Sequence, residues 1–345
     1  MPHARQDPSP PPSRALLRRI ALDVLQRTPS PREVAIALEQ PVPLAVRRWL
    51  FSEEAMRAWL DEELYYFLLL DNFRPRTEGV ESLPRRLAAG TATARDALTE
   101  ILLSTGFSLR NPGNDTFVTV VLEQVLGLRV QERANKALLE AGKAIYDGRK
   151  GRFLDREGRS QSDLVRIAVA QEAATRLLLD RHRQRLFGGG SGPVDAGTVQ
   201  RVHQEPAAFF TVLGEWLAGP EYAAALARRK TKTDTQFVRA LYQDLLDRTP
   251  TYDELRNMRN ALQSMADAGP LRAVLAKVML DSGKAQLPEL RPGAEDAFVR
   301  ECFLRYLARA PGQEELPRFV QELGKGARAL HVVRALLGSP EYQVY

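Results

Sequence analysis

Apolar residues recur at helical spacing along most of the chain. In the segment FVRALYQDLLDRTPTYDEL, Phe237, Leu241, Leu245 and Leu246 fall on one face and predict a buried stripe. That helix must end near Arg248-Thr249-Pro250, because a residue before proline is pushed out of the α region. Thr251 fits an N-cap for the next helix, with Glu254 three residues on as in a capping box. A further helix runs through VVRALLGSPEY and is closed by Gly338-Ser339-Pro340, where Ser339 can cap a short last turn with Pro340 at its first position. Thr116 to Val125 is β-branched, but its apolar spacing fits a buried helix about as well as a strand. The segment YDGRKGRFL reads as a loop or small hairpin, and Ser160 with Asp163 as an N-cap before an apolar helix. Gly188 to Gly192 reads as an exposed, flexible turn.

The helical pattern repeats itself. FVRECFLRYLARAPGQEEL, starting at Phe298, aligns without gaps on the segment starting at Phe237. LLRRIALDVLQRTPSPREV near the N-terminus aligns on the same frame. The shared positions include Arg27, Pro29 and Glu33 in the first copy, Arg248, Pro250 and Glu254 in the second, and Arg309, Pro311 and Glu315 in the third. Arg and Glu at this spacing either pair across the helix–helix corner and fix its angle, or stand exposed. Matching tails end VVRALLGSPEY at Tyr342 and VLGEWLAGPEY at Tyr222, with weaker versions at 46–55, 98–107 and 275–284.

The expected fold is therefore all-α, built from repeated helical units of about 50–60 residues with one irregular insert. The expected partition is a Pro- and Ser-rich disordered tail at 1–14, a helical region at 15–110, the insert at 111–173, and helical repeats at 174–230, 231–290 and 291–345. A unit of this size buries little apolar surface alone, so neighbouring units would share a core, stacked or collapsed into lobes.

Two family resemblances rest on these residues. The pattern FVRxLYxDLLxRxPxxxEL…LLxSPEY over 234–345 resembles the bacterial domain DUF4214, itself similar to phycobilisome linker domains; it returns weakly at 175–226. RRIALDVLQRTPSPREVAIAL, WLFSEEAMRAWLDEEL, LLSTGFSLRNPGN and VLGLRVQ resemble parts of DUF1549, found on exported cytochrome-like proteins of planctomycetes. The first resemblance implies a linker-like helical module. The second implies a C-x-x-C-H haem attachment after the LGxRxQ segment. Here Gln131 is followed by Glu132, Arg133, Ala134, Asn135 and Lys136, so the two thiols and the iron-binding His are missing.

Composition narrows the chemistry further. The chain has 345 residues, one Cys and four His, which removes a disulfide framework and leaves no closely spaced zinc motif. A hydrophobic fraction of 44% is too high for a disordered chain. The net charge of +6 comes mostly from Arg, interspersed with acids. The one compact basic cluster, Arg228, Arg229, Lys230 and Lys232, reads as a solvated linker before a nucleic-acid patch. No run approaches the roughly 18 apolar residues of a membrane span, and Arg18 and Arg19 interrupt any signal-like stretch. As written the chain reads as cytoplasmic, or as exported if a leader was removed.

Each chemically suggestive residue has a plainer reading. Cys302 sits on an apolar helix and reads as a buried structural thiol. His182 and His203 flank the glycine tract and would need a carboxylate to make a metal site; His331 reads as packed or half-exposed. Asp61, Glu62 and Glu63 before Tyr65-Tyr66-Phe67 resemble a paired-carboxylate site less than a charged helix turn. Asn114, Asp115, Asp147, Asp155 and Glu157 lack calcium-loop spacing and read as caps. No catalytic, cofactor or metal residues are assigned, and no cofactor is expected.

The functional expectation is a non-enzymatic scaffold or linker that binds other proteins, with self-association open and Tyr222 and Tyr342 as candidate partner anchors, though core packing within their own unit is the plainer reading of both tyrosines. The alternatives are a metal- or cofactor-dependent enzyme or redox accessory protein using His182 and His203, and, ranked last, nucleic-acid binding through Arg-rich helices.

Overall fold

The computed structural model describes residues 11–69 and 78–345. Among them are twenty α-helices and one two-stranded antiparallel hairpin, so the chain is mostly helical, as the periodicity predicts. No helix among the described residues is long and apolar enough to cross a membrane. Most of the tail expected at 1–14 lies outside the described residues, as does Leu70.

The chain forms two compact units. One runs through Met1–Trp49 and Leu217–Tyr345, the other through Leu50–Trp216. The first unit is thus assembled from both ends of the chain, an arrangement that a succession of consecutive segments does not express.

In the first unit the predicted stripe is the core. Phe237, Val238, Leu241 and Leu245 are buried with Phe298, Val299, Cys302, Phe303 and Tyr306 of the helix Glu295–Tyr306 and with Val332 and Val333 of Ala329–Leu337. Leu246 is only partly buried. The helix Arg14–Val24 starts at the Ser13 cap and is buried from Leu16 to Val24, charged residues included.

Three corners share one geometry. Gln26, Asp247 and Ala308 take left-handed φ values of 56°, 47° and 57° within two residues of a helix end. For residues other than glycine this costs energy unless the surroundings hold it. The next residue supplies the hold. Arg27 grips Glu33 with both terminal nitrogens, at 2.8 and 2.9 Å, and donates to the Thr28 carbonyl at 3.0 Å. Arg248 does the same to Glu254 at 2.8 and 2.8 Å and to the Thr249 carbonyl at 3.1 Å. Arg309 repeats it on Glu315 at 2.7 and 2.8 Å and on the Ala310 carbonyl at 3.0 Å. The proline that follows in each case, Pro29, Pro250 or Pro311, keeps the chain from continuing the helix. Ser30 and Thr251 then cap the next helix, and both form full capping boxes with the same Glu. At the third corner Gly312 has no side chain to cap with, and only its N–H reaches Glu315, at 2.6 Å.

The second unit carries the irregular part. Thr116 to Val125 is helical: an α-helix Gly113–Val120 widens into a π-helical turn Val121–Val125. YDGRKGRFL leads into a hairpin in which Gly151–Phe153 pairs antiparallel with Arg156–Gly158. Gly158 has Asp163 and Ile145 side chains 3.0 and 3.2 Å from where a Cβ would stand, so that strand end lies tight against its neighbours. Ser160 caps Gln161–Val169 as expected. The helix Glu172–Phe187 ends at Gly188, whose φ of 88° suits only glycine without strain.

Candidate functional site

In the first unit, polar side chains gather around two buried carboxylates, Asp23 and Asp244. They occupy aligned positions in the first and second copies of the pattern. Asp244 accepts from the Tyr342 hydroxyl at 2.8 Å, Thr28 Oγ1 at 2.7 Å and Arg18 at 3.3 Å. Asp23 accepts from the Tyr222 hydroxyl at 2.6 Å, the Tyr345 hydroxyl at 2.8 Å and Lys230 at 3.0 Å. Arg19 stacks near the Tyr222 ring and donates to the carbonyls of Ala225 and Arg228. Tyr222 and Tyr342 are therefore interior residues, 0% and 1% exposed, and not surface anchors for a partner. Burial, reinforced by the facing carboxylate, raises the pKa of both hydroxyls well above the ordinary tyrosine value, so each stays a neutral donor. In the third copy the aligned position is Arg305, which donates to the Asp244 carbonyl at 2.7 Å.

The basic cluster is also different from the expected solvated linker. Arg228 and Arg229 are exposed, but Lys232 is buried and Lys230 is bound to Asp23. Residues 230–232 pair with the segment 343–345 through a Thr231–Val344 bridge and the flanking backbone bonds. Lys232 donates to the carbonyls of Tyr342 and Val344, without a carboxylate in contact. Burial, with Arg18 nearby, drives its pKa well below the ordinary lysine value. Both of its hydrogen bonds run to backbone carbonyls of the C-terminal segment.

The residue types of general acid–base chemistry meet in the second unit. Glu63, on the helix Glu53–Leu68, faces His182 and Arg181 on Glu172–Phe187. Its carboxylate lies 3.0 Å from His182 Nε2 and accepts from Arg181 at 2.7 Å. A carboxylate only accepts, so Nε2 carries the proton; Nδ1 is left a buried acceptor with no partner. Trp59 Nε1, 3.1 Å from the same Nε2, then finds no lone pair and makes a ring contact instead. Burial pushes the Glu63 pKa up, but Arg181 and the His182 bond more than offset this and leave it at about 2. Burial lowers the His182 pKa, so the imidazole stays neutral. Both side chains are buried, among Trp59, Phe209 and Phe210. The pair holds two helices together; its acidic neighbour Glu62 is bound to Arg185 at 3.1 Å.

His203 does not join His182. It contacts Arg95, whose Nη2 lies 3.4 Å from His203 Nδ1 and 2.8 Å from its carbonyl, and Thr175 at 3.4 Å. His331 is exposed and its Nδ1 accepts from the Arg328 N–H. Among the described residues no three His, Cys, Asp or Glu side chains gather to hold a metal ion. Asn114 donates to both oxygens of Asp147 at 3.0 and 2.8 Å, and Asp115 pairs with Lys143. Cys302 is buried, and burial pushes its thiol up to about 12, which makes it unreactive.

No family model, curated protein or solved structure matches the chain.

Proposed function

We propose that the protein is a non-enzymatic helical scaffold or linker, built from repeated units of about 50–60 residues, that binds other proteins. The observation that carries this reading is the recurrence of one corner, with its left-handed residue and two-pronged Arg–Glu grip, at 26–33, 247–254 and 308–315. Chemistry placed at the same position in successive copies serves geometry. The buried acids support the same reading, since Asp23, Asp244 and Glu63 are all bound by donors from this chain. The likeness of 234–345 to linker-type domains points the same way. With Tyr222 and Tyr342 interior, recognition falls to exposed Arg side chains such as Arg228 and Arg229, which suit acidic partner surfaces. Affinity capture at native expression in the source organism tests the reading. A stoichiometric protein partner supports it; recovery of the chain alone counts against it.

A further inference from the structure

The paired segments 230–232 and 343–345 leave one edge of their ladder open. Lys230 exchanges both backbone bonds with Tyr345, at 2.9 and 2.9 Å, and the Lys232 N–H reaches the Gln343 carbonyl at 2.9 Å. Along an extended strand the N–H and C=O of successive residues point to opposite sides. Thr231 lies between these two lysines, opposite Val344, and so turns its N–H and C=O away from the C-terminal segment. The chain is still extended at Arg228, with φ −91° and ψ 102°, so Arg229 turns the same way as Thr231. Arg229 and Thr231 are both exposed. None of their four backbone groups has a hydrogen-bond partner among the described residues.

Everything around this stretch is already bonded. On the far side of the ladder the Val344 N–H reaches the Glu341 carbonyl at 3.2 Å, and the Val344 carbonyl accepts from the Lys232 amine at 3.3 Å. At one end the Thr233 N–H is taken by the Gln236 side chain at 2.9 Å and its carbonyl by the Phe237 N–H at 2.8 Å, where the helix Asp234–Leu246 begins. At the other end the Arg228 N–H reaches the Ala225 carbonyl at 3.0 Å, and its own carbonyl accepts from Arg19 at 3.1 Å. The open edge is therefore confined to 229–231. The inward side chains hold it straight: Lys230 bonds to Asp23 at 3.0 Å, and Lys232 is buried. A strand fixed in this way loses little further freedom when another chain pairs with it.

We propose that the 229–231 edge receives an extended acidic segment of a partner protein as an added strand. This rests on the scaffold reading and names the partner's chemistry at the same arginines. The backbone selects an extended peptide, because N–H and C=O groups on alternate residues match the alternate residues of a strand, and a helix has none to offer. The charge selects an acidic one. In an antiparallel pairing the partner residue that exchanges bonds with Arg229 sets its side chain directly beside Arg229 on the same face. Arg229 has no ion pair among the described residues, and Arg228 is exposed next to it. Asp or Glu there gains a pair, whereas Lys or Arg is repelled. The same arginines keep the edge from joining strands indiscriminately.

The test is a titration of the full chain with the peptide acetyl-VTVEVE-amide, read by the amide NMR shifts of Arg229 and Thr231. Two open residues offer few bonds, so the dissociation constant is expected to be on the order of a millimolar or somewhat below. The expected result is saturable shifts at both amides, with acetyl-VTVKVK-amide weaker by about tenfold. Two N-methylated forms of the acidic peptide separate strand addition from loose charge attraction. Methyl groups on one alternate set of amides block the bonds to the edge and abolish binding; on the other set they face away and leave it. No saturable shift with the acidic peptide overturns the proposal. So does equal binding of the acidic and basic peptides, or equal affinity of the two methylated ones, all measured on the unaltered protein. Arg229→Glu should reverse the preference between the two charges, and an unchanged preference in the folded variant overturns the proposal too. A chain found in a stoichiometric native complex that does not bind the peptide loses this proposal alone; one that binds the peptide and has no native partner loses the scaffold reading.

Discussion

Replacing Asp244 with alanine removes one acceptor from three donors at once. Tyr342, Thr28 and Arg18 all bond to it, at 2.8, 2.7 and 3.3 Å, and the Arg18 and Asp244 side chains are only 9% and 4% exposed. Arg18 keeps a second bond, to the Arg305 carbonyl at 3.0 Å, so its charge is not wholly abandoned. Breaking a buried ion pair by removing one partner costs about 3–5 kcal/mol, and each neutral donor left bare adds about 1–3 kcal/mol, less what relaxation recovers. The pair and the two neutral donors come to roughly 5–11 kcal/mol before relaxation, and we expect a loss of about 5 kcal/mol, among the larger single-site effects. Tyr342→Phe deletes one of the three bonds and should cost about 1 kcal/mol. Tyr342→Phe made in the Asp244→Ala background should instead recover about 1 kcal/mol or more, since it removes the hydroxyl left without its acceptor. The assay is urea unfolding combined with hydrogen exchange of peptides from Arg14–Val24 and Asp234–Leu246, which reads the first unit directly. A loss below about 1 kcal/mol for Asp244→Ala, or full additivity of the two changes, would refute the claim that this carboxylate ties the helices together.

Three further outcomes follow from the same geometry. Glu33→Gln should destabilise more than Glu254→Gln, because Arg27 is 9% exposed and Arg248 46%; the exposed corner is expected to change urea stability by under about 1 kcal/mol. Acid should destabilise the second unit through Glu63: a carboxyl held at about 2 against an ordinary 4.5 adds stability above about pH 4.5 that is lost as pH falls toward 2, roughly 3 kcal/mol in all. His182, kept neutral by burial, acts in the same direction below about pH 6.5, and Glu63→Gln should flatten the melting temperature against pH in the acid range. Cys302 should resist a thiol-directed reagent at neutral pH in the folded protein and react at once in denaturant; rapid labelling without unfolding contradicts its burial.

What was legible in the sequence was local. Arg248 and Glu254 are six residues apart, and the capping box at Thr251 spans three, so spacing alone exposes both devices. The corners depend on backbone geometry that proline and a left-handed residue impose on the spot. Tyr222 and Tyr342 stood out by recurrence, but their partners lie 199 and 98 residues away, and nothing in the local pattern names Asp23 or Asp244. Of the two readings of these tyrosines, partner anchor or core packing, burial favours core packing, because tertiary contact decides it. Lys232 misled for a related reason. Three basic neighbours suggest a solvated run, while its own amine is buried and bonds two carbonyls of a segment more than a hundred residues on. Glu63 reads in sequence with Asp61 and Glu62 as part of a charged helix turn, yet it alone of the three is buried, beside Leu64 and Phe67. Its pairing with His182, 119 residues later, had no local trace.

The central proposal is that the chain binds other proteins as a helical scaffold or linker. The most direct measurement is the mass of the native assembly. The chain is purified at native expression under mild conditions, and the complex is weighed by native mass spectrometry or sedimentation. The account predicts a defined complex with a fixed ratio of chain to partner, reduced when the exposed pair Arg228 and Arg229 is replaced by Glu. A lone chain at every concentration, or a complex indifferent to that charge reversal, contradicts it.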